Sequence, residues 1–517
     1  MDRFWEAQLS RRAFLAQMGI TASVVGLAAC GVGTSTSTGT LTPKKGGILK
    51  ISTADGSTAD SLSLYAQSNF FMESAVGAMY ETLVFKDNNF KLVPGLATSW
   101  SSPDATTWTF KIRQGVKFHD GSMLTSADVV YSIQQELGAA SGTDINALLA
   151  AILPPDQVTA VDGSTVQMKL STPFAFLPNA MANRYGKIFK AGTSVDQFTA
   201  QPNGTGPFKF KDFTPGSTFN AVRNPDYWQP NRPYLDGISF TNIPEPASRL
   251  QTVLTGEAHW MDAVPAASAA QFAGSSTAEI QVLKDAIWFG MACNLSVRPI
   301  TDYRVIKAMK MAIDRNQVAK VAFAGYASEG FDGPIPKSDP FFPQDLKNTY
   351  DPQGAKQLLA AAGYPNGLSL PDLVVLPTHG QVAQSTVVQQ QLAQVGLNFK
   401  IVQSGPNFWS NVYQAVPMFV PEFQRKEAWE IFQLFNTSDE DTNYSPDAND
   451  PLIKQAAQTQ DTSQQKQLYA QIIKGYQQNE GWIVPIYASN IYGKSKKVGG
   501  VQPNYVDLFD FTNAFLA

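Results

Sequence analysis

Two α/β lobes, one of them enlarged by a β-rich insertion near the N-terminus, are what this amino-acid sequence predicts. Three observations lead there. The chain has 517 residues, more than one ordinary domain needs. Its N-terminal part carries short runs in which apolar and polar residues alternate, the period of a half-buried strand. Its C-terminal part changes to a strand–helix–strand order, which calls for a parallel sheet with a crossover helix.

Taken in order, the elements are these. Gly46-Gly47 leads into an alternating strand at 48–52. The run 107–113 places Trp108, Phe110 and Ile112 on one face. The run 165–170 alternates in the same way, and Asp162-Gly163 before it marks a hairpin turn. Asp351-Pro352 starts a helix that reaches Ala362, with Ala355, Leu358, Leu359 and Ala362 on one face and Gly363 as the stop. A buried strand at 373–376, a helix at 381–395 and a strand at 398–403 form a βαβ unit. A last helix at 464–478 turns Leu468, Ile472 and Ile473 inward.

Composition narrows the function. With 44% hydrophobic and 16% charged residues, the chain is an ordinary globular protein rather than a disordered one. A net charge of -4 without basic blocks argues against nucleic acid as a partner, because phosphate neutralisation needs clustered Lys and Arg. Cys30 and Cys293, with the scattered His119, His259 and His379, offer no zinc-ligand spacing. No nucleophile elbow, HExxH or phosphate loop occurs. An enzyme is therefore not expected, nor is a metal or cofactor. His119-Asp120 reads as part of a hydrogen-bonded turn, not a catalytic pair.

The first thirty residues read as an address. Arg11 and Arg12 stand directly before an apolar run at 18–29, which is too short to span ~30 Å of hydrocarbon. The paired arginines with Phe14 and Leu15 resemble a twin-arginine export signal. Leu27-Ala28-Ala29-Cys30 resembles a bacterial lipobox, so residues 1–29 are expected to be removed and Cys30 lipidated. Residues 30–45, rich in Gly, Ser and Thr, then serve as a flexible tether. The anchored protein belongs on the outer face of the cytoplasmic membrane.

An ordered set of motifs carries a family resemblance. YETLV (80–84), LVPGLATSW (92–100), WTFKIRQGVKFHDG (108–121) and TSADVVYS (125–132) come first. GTGPF (204–208), RNPDYW (223–228), AIDR (312–315) and AAGYPNG (361–367) follow. The chain resembles the family 5 bacterial extracellular solute-binding proteins, which include oligopeptide, dipeptide and nickel-complex binders. The resemblance implies a periplasmic-binding-protein-like α/β fold of the three-lobe class, with two hinged lobes closing on a buried ligand. Lobe I would comprise 46–80, 201–290 and 486–517, the inserted lobe II 81–200, and lobe III 291–485. It further implies a monomer that delivers a small molecule to the permease and ATPase of an ABC-type importer. A sensing subunit without transport and a secreted hydrolase are the competing classes.

In peptide-binding relatives an aspartate just before the C-terminal helices pairs with the ligand's α-amino group. Aligning 421–430 on that stretch puts Gln424 at the aspartate's place, followed by Arg425 and Lys426. An amide cannot neutralise an ammonium, and a buried unpaired charge is costly. A neutral or acidic ligand is therefore expected, with Glu422 or Glu427 as substitutes if the register shifts. The other candidate ligand contacts are Asn183, Arg184 and Tyr185, then Trp288 and Asn294, then Trp429 as a stacking platform. Asn69 and Phe70 in the stretch 66–70, and more weakly Phe408 and Trp409, complete the set.

Overall fold

The computed structural model describes residues 41–517 except 66–68, 88, 139–142, 406–407, 439–449, 480 and 506–508. Arg11, Arg12, Cys30, most of the tether and the 66–68 part of one candidate loop lie outside the described residues.

The opening strand Ile48–Thr53 buries Leu49 and Ile51 and exposes Ile48, as its alternation predicts. It lies inside a nine-stranded sheet, parallel to both Gly237–Asn242 and Trp260–Met261. Beyond Trp260–Met261 come the long strands Ile486–Ser495 and Ala278–Trp288, and the short strand Phe423–Gln424 closes that edge. Segments from both ends and the middle of the chain thus share one sheet.

A four-stranded antiparallel sheet holds Ala97–Ser101, Thr107–Ile112, Thr165–Lys169 and Val158–Asp162 in that order. Trp108, Phe110 and Ile112 are all buried on it, and the hairpin turn falls at Asp162–Thr165. A five-stranded sheet runs Ile401–Gln403, Leu373–Val375, Met418–Val420, Met291–Cys293, Trp482–Ile483. Leu373–Val375 and Ile401–Gln403 pair in parallel with the helix Gln381–Ala393 between them, which is the expected βαβ unit.

One expected strand divides. Residues 398–403 form two short pieces, Leu397–Asn398 beside Leu368–Ser369 and Ile401–Gln403 beside Leu373–Val375. The break falls opposite Pro371, which has no N–H to donate and so interrupts the ladder.

Helix Pro352–Ala361 begins where the Asp351 carboxylate accepts the Gly354 N–H at 2.8 Å, and Gly363 leaves it at φ +97°. Helix Thr462–Asn479 buries Leu468, Ile472 and Ile473.

The remaining motifs build a crossing. Gly206 N donates to Met79 O at 2.9 Å, and a Cβ on Gly204 would lie 2.0 Å from that same oxygen, so only glycine fits. Tyr227 Oη, Trp228 Nε1 and Thr205 Oγ1 all donate to the buried Glu81 carboxylate. Burial still pushes Glu81 up to about 7. His119 Nε2 lies 3.0 Å from Gly206 O, while Asp120 pairs with Lys190 at 2.8 Å. These two residues hold a turn.

Candidate ligand-binding site

The segment 423–430 passes from strand to helix within a few residues. Phe423 and Gln424 pair with Trp288 and Ile287, and Arg425 N donates to Ala286 O at 2.8 Å, extending the edge by one residue. Helix Ala428–Ser438 begins immediately afterwards. Arg425, Lys426 and Glu427 are therefore presented at a turn. Beside them opens a cavity that is partly open to solvent. Gln424, Arg425, Lys426, Glu427 and Glu430 line one side of it. Lys86, Phe90, Asp144, Asn183, Arg184 and Tyr505 come to it from elsewhere in the chain.

The charges along this cavity are nearly all matched. Lys86 pairs with Glu427, both almost without exposure, and Asn179 Nδ2 donates to the other Glu427 oxygen at 3.2 Å. Lys426 Nζ reaches Asp144 at 2.5 Å and Glu430 at 3.1 Å. Burial alone would pull the Lys426 ammonium down, but Glu430 and Asp144 outweigh it and the net direction is upward. Asn183 Nδ2 donates to Glu430 at 3.0 Å. Arg184 donates through Nη1 to Glu73 at 2.8 Å and to Gln424 Oε1 at 3.1 Å, and through Nη2 to Tyr185 Oη at 3.3 Å.

Arg425 differs. Its guanidinium carbon lies 4.8 Å from the Phe90 ring centre and 4.6 Å from that of Tyr505, two rings that stack 5.1 Å apart. The residue is 5% exposed, its Nε has no hydrogen-bond partner, and among the described residues no carboxylate lies within ion-pair distance of it. Stacking on rings suits a weakly hydrated planar cation. The unpartnered Nε is a donor of the kind that carboxylates and phosphates accept from.

The structure thus gathers Asn183, Arg184, Gln424 and Arg425 on one cavity, with Tyr185 behind Arg184. Asn69, Phe70, Trp288, Asn294 and Trp429 do not line it. Asn69 caps helix Phe70–Met79, accepting from Met72 N at 2.9 Å and donating to Asp60 at 2.7 Å. Phe70 meets Phe509 edge-on at 5.1 Å. Trp288 is buried, stacked on Phe423 at 4.8 Å. Asn294 accepts from Ser296 N in a local turn. Trp429 is buried face to face with Phe176 at 5.3 Å. Phe408 is core, whereas Trp409 is half exposed. Glu422 accepts from His379 Nδ1 at 2.9 Å, and Glu427 is taken by Lys86. Lys86 at the end of strand Val84–Lys86, Asp144 at the start of helix Asp144–Leu149, and Phe90 and Tyr505 were not foreseen, since no local sequence pattern marks them. Among the described residues no three His, Cys, Asp or Glu side chains stand together as a metal site would. No described helix is long and apolar enough to cross a membrane.

The family model of the bacterial extracellular solute-binding proteins, family 5 (middle region), matches residues 91–451. The chain belongs to this family. Members of this family are extracellular solute-binding proteins. The glutathione-binding protein GsiB of Pectobacterium atrosepticum is 26% identical over 487 residues, covering 90% of this chain and 93% of its own. The AgaA binding protein of A. tumefaciens R10, solved with agropinic acid, is 25% identical with a TM-score of 0.76, covering 91% of this chain and 99% of its own. The ABC transporter-associated binding protein DppA of Helicobacter pylori, solved with the peptide STSA, has a TM-score of 0.78 at 22% identity, covering 92% and 98%.

Proposed function

We propose that this family 5 protein captures a small anionic solute between hinged lobes and delivers it to an ABC-type importer, with Arg425 as the anchor for the solute's carboxylate. The observation that carries the reading is the charge balance of the cavity. Each other cation on it has a carboxylate partner, and Arg425 alone, among the described residues, has none. Glutathione and agropinic acid, the ligands named for two relatives, both carry carboxylates and suit this balance. Gln424 in place of an acidic group fits the same ligand class, because it offers no charge to a free peptide N-terminus. Arg184 tethers Gln424 and Glu73, so its part is to set the cavity wall. The proposed lobe limits are 46–80 with 201–290 and 486–517, 81–200, and 291–485.

The test is calorimetry and thermal shift with glutathione, agropinic acid, free and N-acetylated short peptides, and neutral glycans. A solute that binds only the closed form adds ~2.7 kcal/mol of stability at 100 times Kd. An acidic solute is expected to do so. Tight binding of unblocked di- to pentapeptides, lost when the α-amino group is acetylated, would refute the anionic assignment and point to Glu422 or Glu427.

The membrane anchor is a separate proposal, resting on the lipobox at Leu27–Cys30. Two or more acyl chains anchor stably, at ~0.8 kcal/mol per buried methylene. Cys30→Ala is expected to release the protein from the membrane fraction or to block processing. Unchanged retention and unchanged size on a gel would end the idea.

A further inference from the structure

Glu422 stands where the chain passes from one sheet to another. Strand Met418–Val420 before it belongs to the five-stranded sheet, and strand Phe423–Gln424 after it forms the edge of the nine-stranded sheet. Pro421 has no N–H to give to either ladder. The edge itself is short, since only Phe423 and Gln424 pair with Trp288 and Ile287 before Arg425 N reaches Ala286 O. A side chain fixes it from the other end. Glu422 Oε2 accepts from His379 Nδ1 at 2.9 Å, from Thr378 Oγ1 at 3.1 Å and from Gln381 Nε2 at 3.2 Å. These three donors stand at the start of helix Gln381–Ala393, whose N-cap, Gly380, has no side chain to offer. Glu422 brings there the negative charge that a helix N-terminus favours. One turn further on, Gln384 Nε2 donates to Phe289 O at 3.0 Å, in the crossing that follows Trp288. The same helix start thus holds both crossings next to the stacked pair Trp288–Phe423. His379 is kept at φ +45°, a conformation that a side chain-bearing residue adopts only where its surroundings impose it.

We propose that Glu422, held by Thr378, His379 and Gln381, is a positioning residue that sets the edge bearing Arg425 for an anionic solute, and that a protonated His379 tightens this hold. The proposal deepens the anchor reading of Arg425 and rests on it. The charged groups around His379 are Glu422, paired with it, and Asp262 and Asp55, all of them acids. Burial alone would pull the imidazole down, but Glu422, through its charge and its hydrogen bond, outweighs it with help from Asp262 and Asp55, and the net direction is upward. Burial likewise opposes the Glu422 anion, yet His379, Thr378 and Gln381 bring it below the ordinary carboxylate range. Near neutral pH the acid therefore stays ionised and only the imidazole titrates. Because the folded value of His379 is raised, its contribution is complete below ~6.5 and fades as pH rises through that raised value. The His379 side chain is 47% exposed, so the charge adds up to ~5-fold in affinity and no more.

Two measurements on the full chain test this. The first needs no ligand. Hydrogen exchange of the amides of 423–425, corrected for the intrinsic pH dependence, should be ~10-fold faster in Glu422→Ala, while helix Pro352–Ala361 exchanges as before. Unchanged protection of 423–425, or equal acceleration in that distant helix, would overturn the proposal. The second is calorimetry with glutathione and with agropinic acid at pH ~6 and ~8. The wild type should bind more tightly at the lower pH. His379→Gln, which keeps a neutral donor, and Glu422→Gln, which keeps an acceptor, should both hold most of the affinity found at the higher pH and lose the gain at the lower. Glu422→Ala should bind ~10-fold more weakly at both. A pH gain that survives in both glutamine variants would overturn the proposal. Arg425→Ala binding as tightly as the wild type would instead remove the anchor reading, and hydrogen exchange would still decide whether Glu422 holds the edge.

Discussion

Arg425→Ala is expected to weaken binding of an acidic solute by several hundred-fold or more while the protein stays folded. A ligand carboxylate drawn into the cavity loses its water, and the guanidinium is what replaces it. Leaving that carboxylate unpaired costs ~3–5 kcal/mol, and each 1.4 kcal/mol is tenfold in Kd. The substitution also removes contact with Phe90 and Tyr505, so Arg425→Met, which keeps an apolar stem on those rings, separates charge from packing. Both variants should lose affinity to a similar degree. Arg184→Ala should cost less affinity, because its guanidinium is committed to Glu73 and Gln424. It should instead lower stability by leaving the buried Glu73 without its cation. Calorimetry with glutathione and agropinic acid measures the first effect, and denaturant unfolding the second. Equal losses of affinity in Arg184→Ala and Arg425→Ala would contradict the division of roles.

Local pattern made some of this legible in advance and left the rest hidden. Thr107–Ile112 and Pro352–Ala361 could be read because alternation and a 3.6-residue stripe are properties of neighbours in sequence. Asn69 standing before an apolar run carries the N-cap signature, and that signal alone assigns it to the start of helix Phe70–Met79. The family resemblance singled out the segment 421–430, and Gln424 with Arg425 line the cavity. What sequence could not tell was how the charges pair. Glu73 lies 111 residues from Arg184, and Lys86 lies 341 from Glu427, with nothing in either segment to mark the match. Aromatic side chains were ambiguous for a related reason. A tryptophan's size says that it will be covered, but not whether by ligand or by core. Trp288 is covered by Phe423, and Trp429 by Phe176. Phe90 and Tyr505, which do reach the cavity, are set there by chain crossings far apart in sequence.

The second large effect concerns folding. Glu427→Ala is expected to destabilise the protein by ~3–5 kcal/mol, because it strands a nearly buried cation. The Lys86 side chain is 3% exposed and that of Glu427 8%, and Lys86 lies 5.5 Å from the ring centre of buried Trp429. Removing the carboxylate leaves the ammonium with the ring alone, a contact of only ~0.5–2 kcal/mol. It also takes the acceptor from Asn179 Nδ2. The pair joins strand Val84–Lys86 to the turn that presents Arg425, so the loss should fall on the cavity as well as on overall stability. Two comparisons isolate the cause. Replacing both partners with methionine removes the stranded charge, and should recover most of the loss, since apolar substitutes for a buried pair are often neutral. Lys474→Ala breaks a pair whose side chains are 39% and 74% exposed, and should cost no more than ~1 kcal/mol. Denaturant unfolding of the three variants decides it: a Glu427→Ala midpoint close to that of Lys474→Ala would mean that water reaches Lys86 and that the pair is not structural.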